Sequence, residues 1–212
     1  MKNFIYILIL LLIAVMVHAK DIERKKGDIM NDRKSQYTEV ATLGGGCFWC
    51  LEPVFERLRG VRSVEAGYSG GELENPTYQQ VLSGATGHAE VVQIVFEPDV
   101  ISYQDILTVF FGMHDPTTLN RQGNDRGTQY RSIILFHDDE QKETAVQMIE
   151  ALNKKDQFRN DIVTEVVPFS AFYKAEDYHQ AYYENNLNAP YCQIIIAPKV
   201  EKLLKQFNDK VM

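Results

Sequence analysis

The spacing of apolar positions changes along the chain, and each change predicts an element. Residues 38–43, "TEVATL", form a strand-like run that ends in three glycines. "CFWCLEPVFERLR" (47–59) then has helical spacing, and Gly60 stops it. A second strand is predicted at 63–68, followed by a glycine- and proline-marked loop and a short helix at "TYQQVLSG". "HAEVVQIVFEP" (88–98) alternates like a long strand. Residues 102–114 read as an amphipathic helix with Ser102 as its N-cap. Residues 130–137 read as a buried strand. Residues 138–155 read as a helix with acids first and lysines last, as its dipole favours. One more strand is expected at 162–168, before an aromatic-rich tail. Strand, helix, strand, strand, helix, strand is the ferredoxin-like split βαβ order. The fold expected is an α/β (α+β) two-layer sandwich with a mixed sheet, helices on one face and the C-terminal tail wrapped around it.

Composition agrees with a folded domain: 212 residues, 45% hydrophobic, with a net charge of −7. The predicted domain carries no Lys/Arg cluster, which argues against a nucleic-acid surface. The N-terminus alters the picture more. "MKNFIYILILLLIAVMVHAK" has one lysine, an apolar run that is short for a membrane span, and small residues where a signal peptidase would act. Residues 1–19 are therefore read as a secretory signal peptide, with an uncleaved membrane anchor as the alternative. Residues 20–36, with mixed charges and no apolar period, are read as a linker, and residues 37–212 as the folded domain. Export to the periplasm or the exterior follows from this reading.

Outside the cytoplasm thiols tend to pair, so three cysteines leave one over and suit exchange better than a static framework. Two of them lie in "GGGCFWC". Cys47 is expected in the first helical turn, where free N–H groups and the dipole favour a thiolate, with the glycines leaving open space above the sulfur. A metal clip would need further ligands at finger-like spacing after Cys50, and none follows. Glu90, in an apolar strand, is either at the surface by alternation or buried with a raised pKa. Asp125 could be a turn residue before Gly127. His114 and His137 end elements and read as caps; His88 and His179 read as structural donors.

"GGGCFWC" resembles the signature of the A-type peptide methionine sulfoxide reductases. So, in order, do "GYSGG" (67–71), "NPTYQQV" (75–81), "GHAEVVQIVFEP" (87–98), "HDPTTLNRQGNDRGTQYRS" (114–132), "AEDYHQAYY" (175–183) and "PYC" (190–192), a resemblance spanning residues 38–207. It implies reduction of the S epimer of methionine sulfoxide, free or in proteins. It also implies Cys47 as nucleophile, Phe48 and Trp49 around the substrate methyl, Glu90 as acid, and Tyr78 and Tyr130 as donors to the sulfoxide oxygen. Asp125 would organise the site and Cys192 would resolve the oxidised cysteine. Cys50, where many members have glycine, is the alternative resolver. No bound cofactor is implied; a thioredoxin-like dithiol would be the reductant, and the chain is expected to be a monomer. Two rivals stay open: a general thiol–disulfide oxidoreductase using Cys47 and Cys50, and a non-catalytic binding module.

Overall fold

The computed structural model describes residues 37–212; the expected signal peptide and linker lie outside the described residues. Strand β1 (Glu39–Gly45) leads into α1 (Phe48–Glu56), β2 (Val61–Ser69), the short α2 (Tyr78–Leu82), β3 (Ala89–Phe96) and α3 (Tyr103–Met113). A small hairpin, β4 (Arg121–Gln122) and β5 (Asp125–Arg126), precedes β6 (Ser132–Phe136) and α4 (Asp139–Lys154). Edge strands β7 (Glu165–Pro168) and β8 (Phe172–Lys174), the short α5 (Tyr182–Asn185), a π-helical turn (Cys192–Ile196) and α6 (Ala197–Gln206) complete the chain.

The sheet order is β7-β6-β1-β3-β2-β8. Its inner four strands, β6-β1-β3-β2, pair antiparallel, and β7 joins β6 in parallel, so the sheet is mixed as expected. Alternation sends Ala41 and Leu43 of β1, and Val92, Ile94 and Phe96 of β3, to the helix-covered face. There they meet Leu51, Val54 and Phe55 of α1 and Ile106 and Phe110 of α3. Each such buried side chain contributes about 1.5–3 kcal/mol. A smaller cluster of Ala89, Val91, Ile133 and Leu135 fills the opposite face under Val167, Phe169 and Phe172.

Local chemistry fixes where the helices begin. Ser102 with Asp105, and Thr77 with Gln80, form capping boxes on α3 and α2. Asp138 caps α4 through the Gln141 N–H. The structure departs from the sequence reading at several ends. Helix α1 stops at Glu56 rather than residue 59: Pro53 removes one of its internal bonds, and Leu58 instead bridges to Val211 near the C-terminus. Strand β6 starts at Ser132, because residues Thr128–Tyr130 form a tight 3-10 turn after Gly127. The hairpin β4–β5 and strand β8 were not foreseen; each has only two or three residues, too few to show a period.

Candidate active site

Strand β1 delivers the chain to α1 through Gly44, Gly45 and Gly46. A Cβ on Gly44 would stand 2.8 Å from the Glu90 carbonyl oxygen, and Gly46 turns the chain at φ +99°. The space beside the glycines themselves is occupied. Gln122, held to the backbone of Asp115 by two hydrogen bonds, fills the ground beside Gly46, while Phe110 and His114 crowd Gly45. Gly44 lets β1 approach β3 and β6 closely, and Gly45 and Gly46 do the same for Phe110, His114 and Gln122.

Cys47 is the N-cap of α1, one residue before the first turn. The N–H of Phe48 donates to Glu90 Oε2 at 3.1 Å. Glu90 is 1% exposed and sits on β3 opposite Tyr68. Its period-two companions are Val92, Ile94 and Phe96, so alternation buries it instead of exposing it. Burial pushes its carboxyl up to about 8, against the opposing pull of the Phe48 N–H and of a hydrogen bond from Cys47. Glu90 therefore keeps its proton at neutral pH.

The two thiols form a hydrogen-bonded pair. The N–H of Cys50 donates to the Cys47 carbonyl at 3.0 Å, which brings the side chains together. Burial, the Cys50 sulfur and nearby Glu90 hold Cys47 well above the usual thiol range. Donation by Cys47, with help from Lys199, lowers Cys50 to about 6. The sequence reading expected a resting thiolate at Cys47; within this pair Cys47 is the hydrogen-bond donor and Cys50 the acceptor. Glu90 near Cys47 and Lys199 near Cys50 draw the pair's charge toward Cys50.

Above the pair, the Tyr191 hydroxyl lies 3.8 Å from Cys50 Sγ and donates to Asp125 Oδ2 at 3.1 Å. Asp125 thus ties the hairpin to the C-terminal segment. Cys47, Cys50, Asp125, Tyr191, Ile195 and Lys199 line a cleft of about 410 Å³. Tyr78 and Tyr130 are half-buried and stand near both Glu90 and Cys47; burial and these neighbours raise both phenols, which stay protonated. Cys192 is fully buried and near enough to Cys50 to feel its charge.

The aromatic pair divides. Phe48 is fully buried, with its ring centre 5.9 Å from Tyr68 and 5.0 Å from His179. Trp49 is half-buried, stacked on Tyr182 at 3.7 Å, and donates its indole N–H to His179 Nδ1 at 3.1 Å. His179 is thus an acceptor where a donor was expected. His88 accepts the Gly71 N–H and holds the Leu73 carbonyl, bracing a loop. His114 does cap α3, with Nδ1 2.7 Å from the Phe110 carbonyl. His137 spans from Thr42 on β1 to the start of α4. Among the described residues no cluster of three or more His, Cys, Asp or Glu could hold a metal ion.

Sequence reasoning passed over Tyr191, Lys199, Gln122 and Glu176. Glu176 accepts from the Tyr68 hydroxyl and the Tyr78 N–H, each at 2.9 Å. Only Tyr191 carried a signal, its place beside Cys192; the others converge on the site through the fold.

A paired thiol next to a protonated carboxyl, on this sandwich, defines a thiol-dependent oxidoreductase. Comparison with known proteins gives its family. The profile of the peptide methionine sulfoxide reductases matches residues 39–211. A peptide methionine sulfoxide reductase MsrA of Sulfolobus acidocaldarius is 59% identical, covering 81% of this chain and 97% of the relative. The reduced form of Mxr1 from Saccharomyces cerevisiae superposes with a TM-score of 0.67 at 35% identity, covering 73% of this chain and 89% of that one. Methionine sulfoxide reductase A of Corynebacterium diphtheriae gives 0.65 at 34% identity, covering 73% and 78%. The chain belongs to the peptide methionine sulfoxide reductase family, A type, and reduces methionine sulfoxide.

Proposed function

We propose that the chain reduces the S epimer of methionine sulfoxide through a sulfenic acid on Cys47 and a disulfide recycled by a thioredoxin-like dithiol. The observation that carries this reading is the contact of Cys47 with a buried, protonated Glu90 whose carboxyl is fixed by the Phe48 N–H at 3.1 Å. A sulfoxide oxygen set among Glu90, Tyr78 and Tyr130 receives hydrogen bonds and then the Glu90 proton, which makes its sulfur electrophilic. Cys47 passes its own proton to the Cys50 thiolate as it attacks. The bond from sulfur to oxygen breaks, the methionine sulfur gains two electrons, and Cys47 loses two as it becomes S–OH. Trp49 forms the wall of the slot for the S-methyl group, with Phe48 packed behind it.

Cys50, now protonated, condenses with the sulfenic acid to release water and leave a Cys47–Cys50 disulfide. Cys192 then exchanges with Cys50. This relay is favoured over direct resolution by Cys192, since Cys50 touches Cys47 and feels Cys192. An external dithiol returns the three thiols to the reduced state.

The experiment is incubation of the protein with each separated epimer and dithiothreitol. Methionine release from the S form alone is the expected result, with loss of release in Cys47→Ser. Turnover of disulfides without sulfoxide consumption would favour the general oxidoreductase instead. We further propose that residues 1–19 direct export and that the mature chain is monomeric. An N-terminal sequence beginning at Lys20 and a monomer mass by light scattering are the expected findings.

A further inference from the structure

Glu52 lies in the second turn of α1 and is 1% exposed, yet it takes no part in the chemistry above. Its Oε1 accepts the Ala181 N–H at 2.9 Å, and the Tyr182 N–H points at the same carboxyl. Oε2 is buried with no hydrogen-bond partner among the described residues. Ala181 is held in the left-handed region, at φ +49° and ψ +36°, where alanine is strained. It opens α5 with a methyl group that cannot accept a bond, so Glu52 supplies from another helix the acceptor this turn lacks. The next residue, Tyr182, lies flat on Trp49 at 3.7 Å with the rings 9° apart. On the far side of Ala181, Gln180 is tied to the backbone of Ala66 in β2, so α5 has one anchor in the sheet and one in α1.

We propose that Glu52 is a positioning residue: it seats the turn at Ala181 and so presses Tyr182 against Trp49, holding that side chain as one wall of the sulfoxide slot. The part concerning the slot rests on the reading of Trp49 given above; the seating of Tyr182 does not. The charged groups around Glu52 are Glu56 and Arg57 on its own helix and Glu184 on α5, with Arg57 turned to Glu184 at 2.9 Å. Burial, with the acids Glu56 and Glu184, outweighs the opposing pull of the Ala181 and Tyr182 N–H groups, and the pKa is pushed up to about 7. The seated turn therefore favours protonated Glu52, and ionisation as pH rises through about 7 favours an unseated one.

Trp49 is the chain's single tryptophan, so its fluorescence reports the contact directly. Glu52→Ala should increase acrylamide quenching of Trp49 and raise KM for the sulfoxide about fivefold, the effect of one lost hydrogen bond, with kcat little changed. Glu52→Gln keeps an acceptor of the same shape and should recover the shielding. Tyr182→Ala should match Glu52→Ala, and the double variant should add nothing further. In the wild-type protein quenching should increase as pH rises from about 6 to about 9, and in Glu52→Gln this step should vanish, which separates it from titration of Cys50, His179 and Glu90. Unaltered quenching in Glu52→Ala, or the same pH step in wild type and Glu52→Gln, would overturn the proposal; the second comparison decides alone if the alanine variant does not fold. Exposed Trp49 with an unchanged KM would leave Glu52 as the anchor and overturn instead the place of Trp49 in the slot.

Discussion

A carboxyl whose pKa burial has pushed to about 8 carries its proton across neutral pH, and that dictates how Glu90 responds to alkali. Activity should decline as pH rises through about 8, since the acid form is the one that donates. Folding stability moves in the same direction. The contribution of protonated Glu90 is complete below its ordinary value of 4.5 and is lost as pH climbs through about 8. Glu90→Gln should therefore lose about 10²–10⁴-fold in kcat. Thermal unfolding scans should also show that it loses less stability than the wild-type protein between neutral and alkaline pH. Removing one phenol, by Tyr78→Phe or Tyr130→Phe, should cost about 10²-fold in kcat if each hydroxyl meets the developing charge on oxygen. At this scale the sequence was legible in part. Glu90 shares a two-residue period with Val92, Ile94 and Phe96, but Ala89, Val91 and Val95 make the other face apolar too, so periodicity could not choose a face. The pull of the pair's charge toward Cys50 was not readable, because it depends on Lys199, about 150 residues away in the chain and beside Cys50 only through the fold.

Elements bring these groups into register, and the join between β1 and α1 is the least tolerant of change. Gly44→Ala would drive a Cβ to 2.8 Å from both the Glu90 carbonyl oxygen and Ile133. A loss of about 1–3 kcal/mol in urea-monitored unfolding is expected, together with a fall in activity as β3 shifts under Glu90. The relay of thiols is tested at this scale as well. Cys50→Ser should slow the single turnover, for want of the sulfur that takes the Cys47 proton, and slow the appearance of a disulfide further, measured by quenched-flow alkylation and mass spectrometry. Cys192→Ser should form the Cys47–Cys50 disulfide normally and stall with the external dithiol; a Cys192→Ser protein that recycled freely would remove Cys192 from the sequence of exchanges. The central strands and the capped helices were readable because period, cap and turn residue agreed, as in Ser102 with Asp105 and Asp138 with Gln141. The hairpin β4–β5 was not readable, since its two-residue strands are held by Gln122 and Asp125 reaching distant partners.

At the scale of the whole molecule, the C-terminal third closes the site and the fold together. Met212 N–H donates to the Arg57 carbonyl at 3.0 Å, and Arg59 N–H to that of Lys210 at 2.8 Å, fastening the end of the chain to the exit of α1. Leu203 of α6 is fully buried in the main core and Phe207 lies against Gly112 of α3. Leu203→Ala should destabilise by about 2–5 kcal/mol in denaturant titration. It should also lower activity, because α6 carries Lys199 to the cleft. The sequence reading marked this region only as an aromatic tail; β8 and α5 are too short to show a period, whereas the ten residues of α6 have a clear amphipathic one that the reading passed over.

All three cysteine sulfurs belong to residues no more than 8% exposed. Cys47 and Cys50 meet solvent through the cleft they line, so a small oxidant finds a recessed mouth rather than a thiol on the open surface.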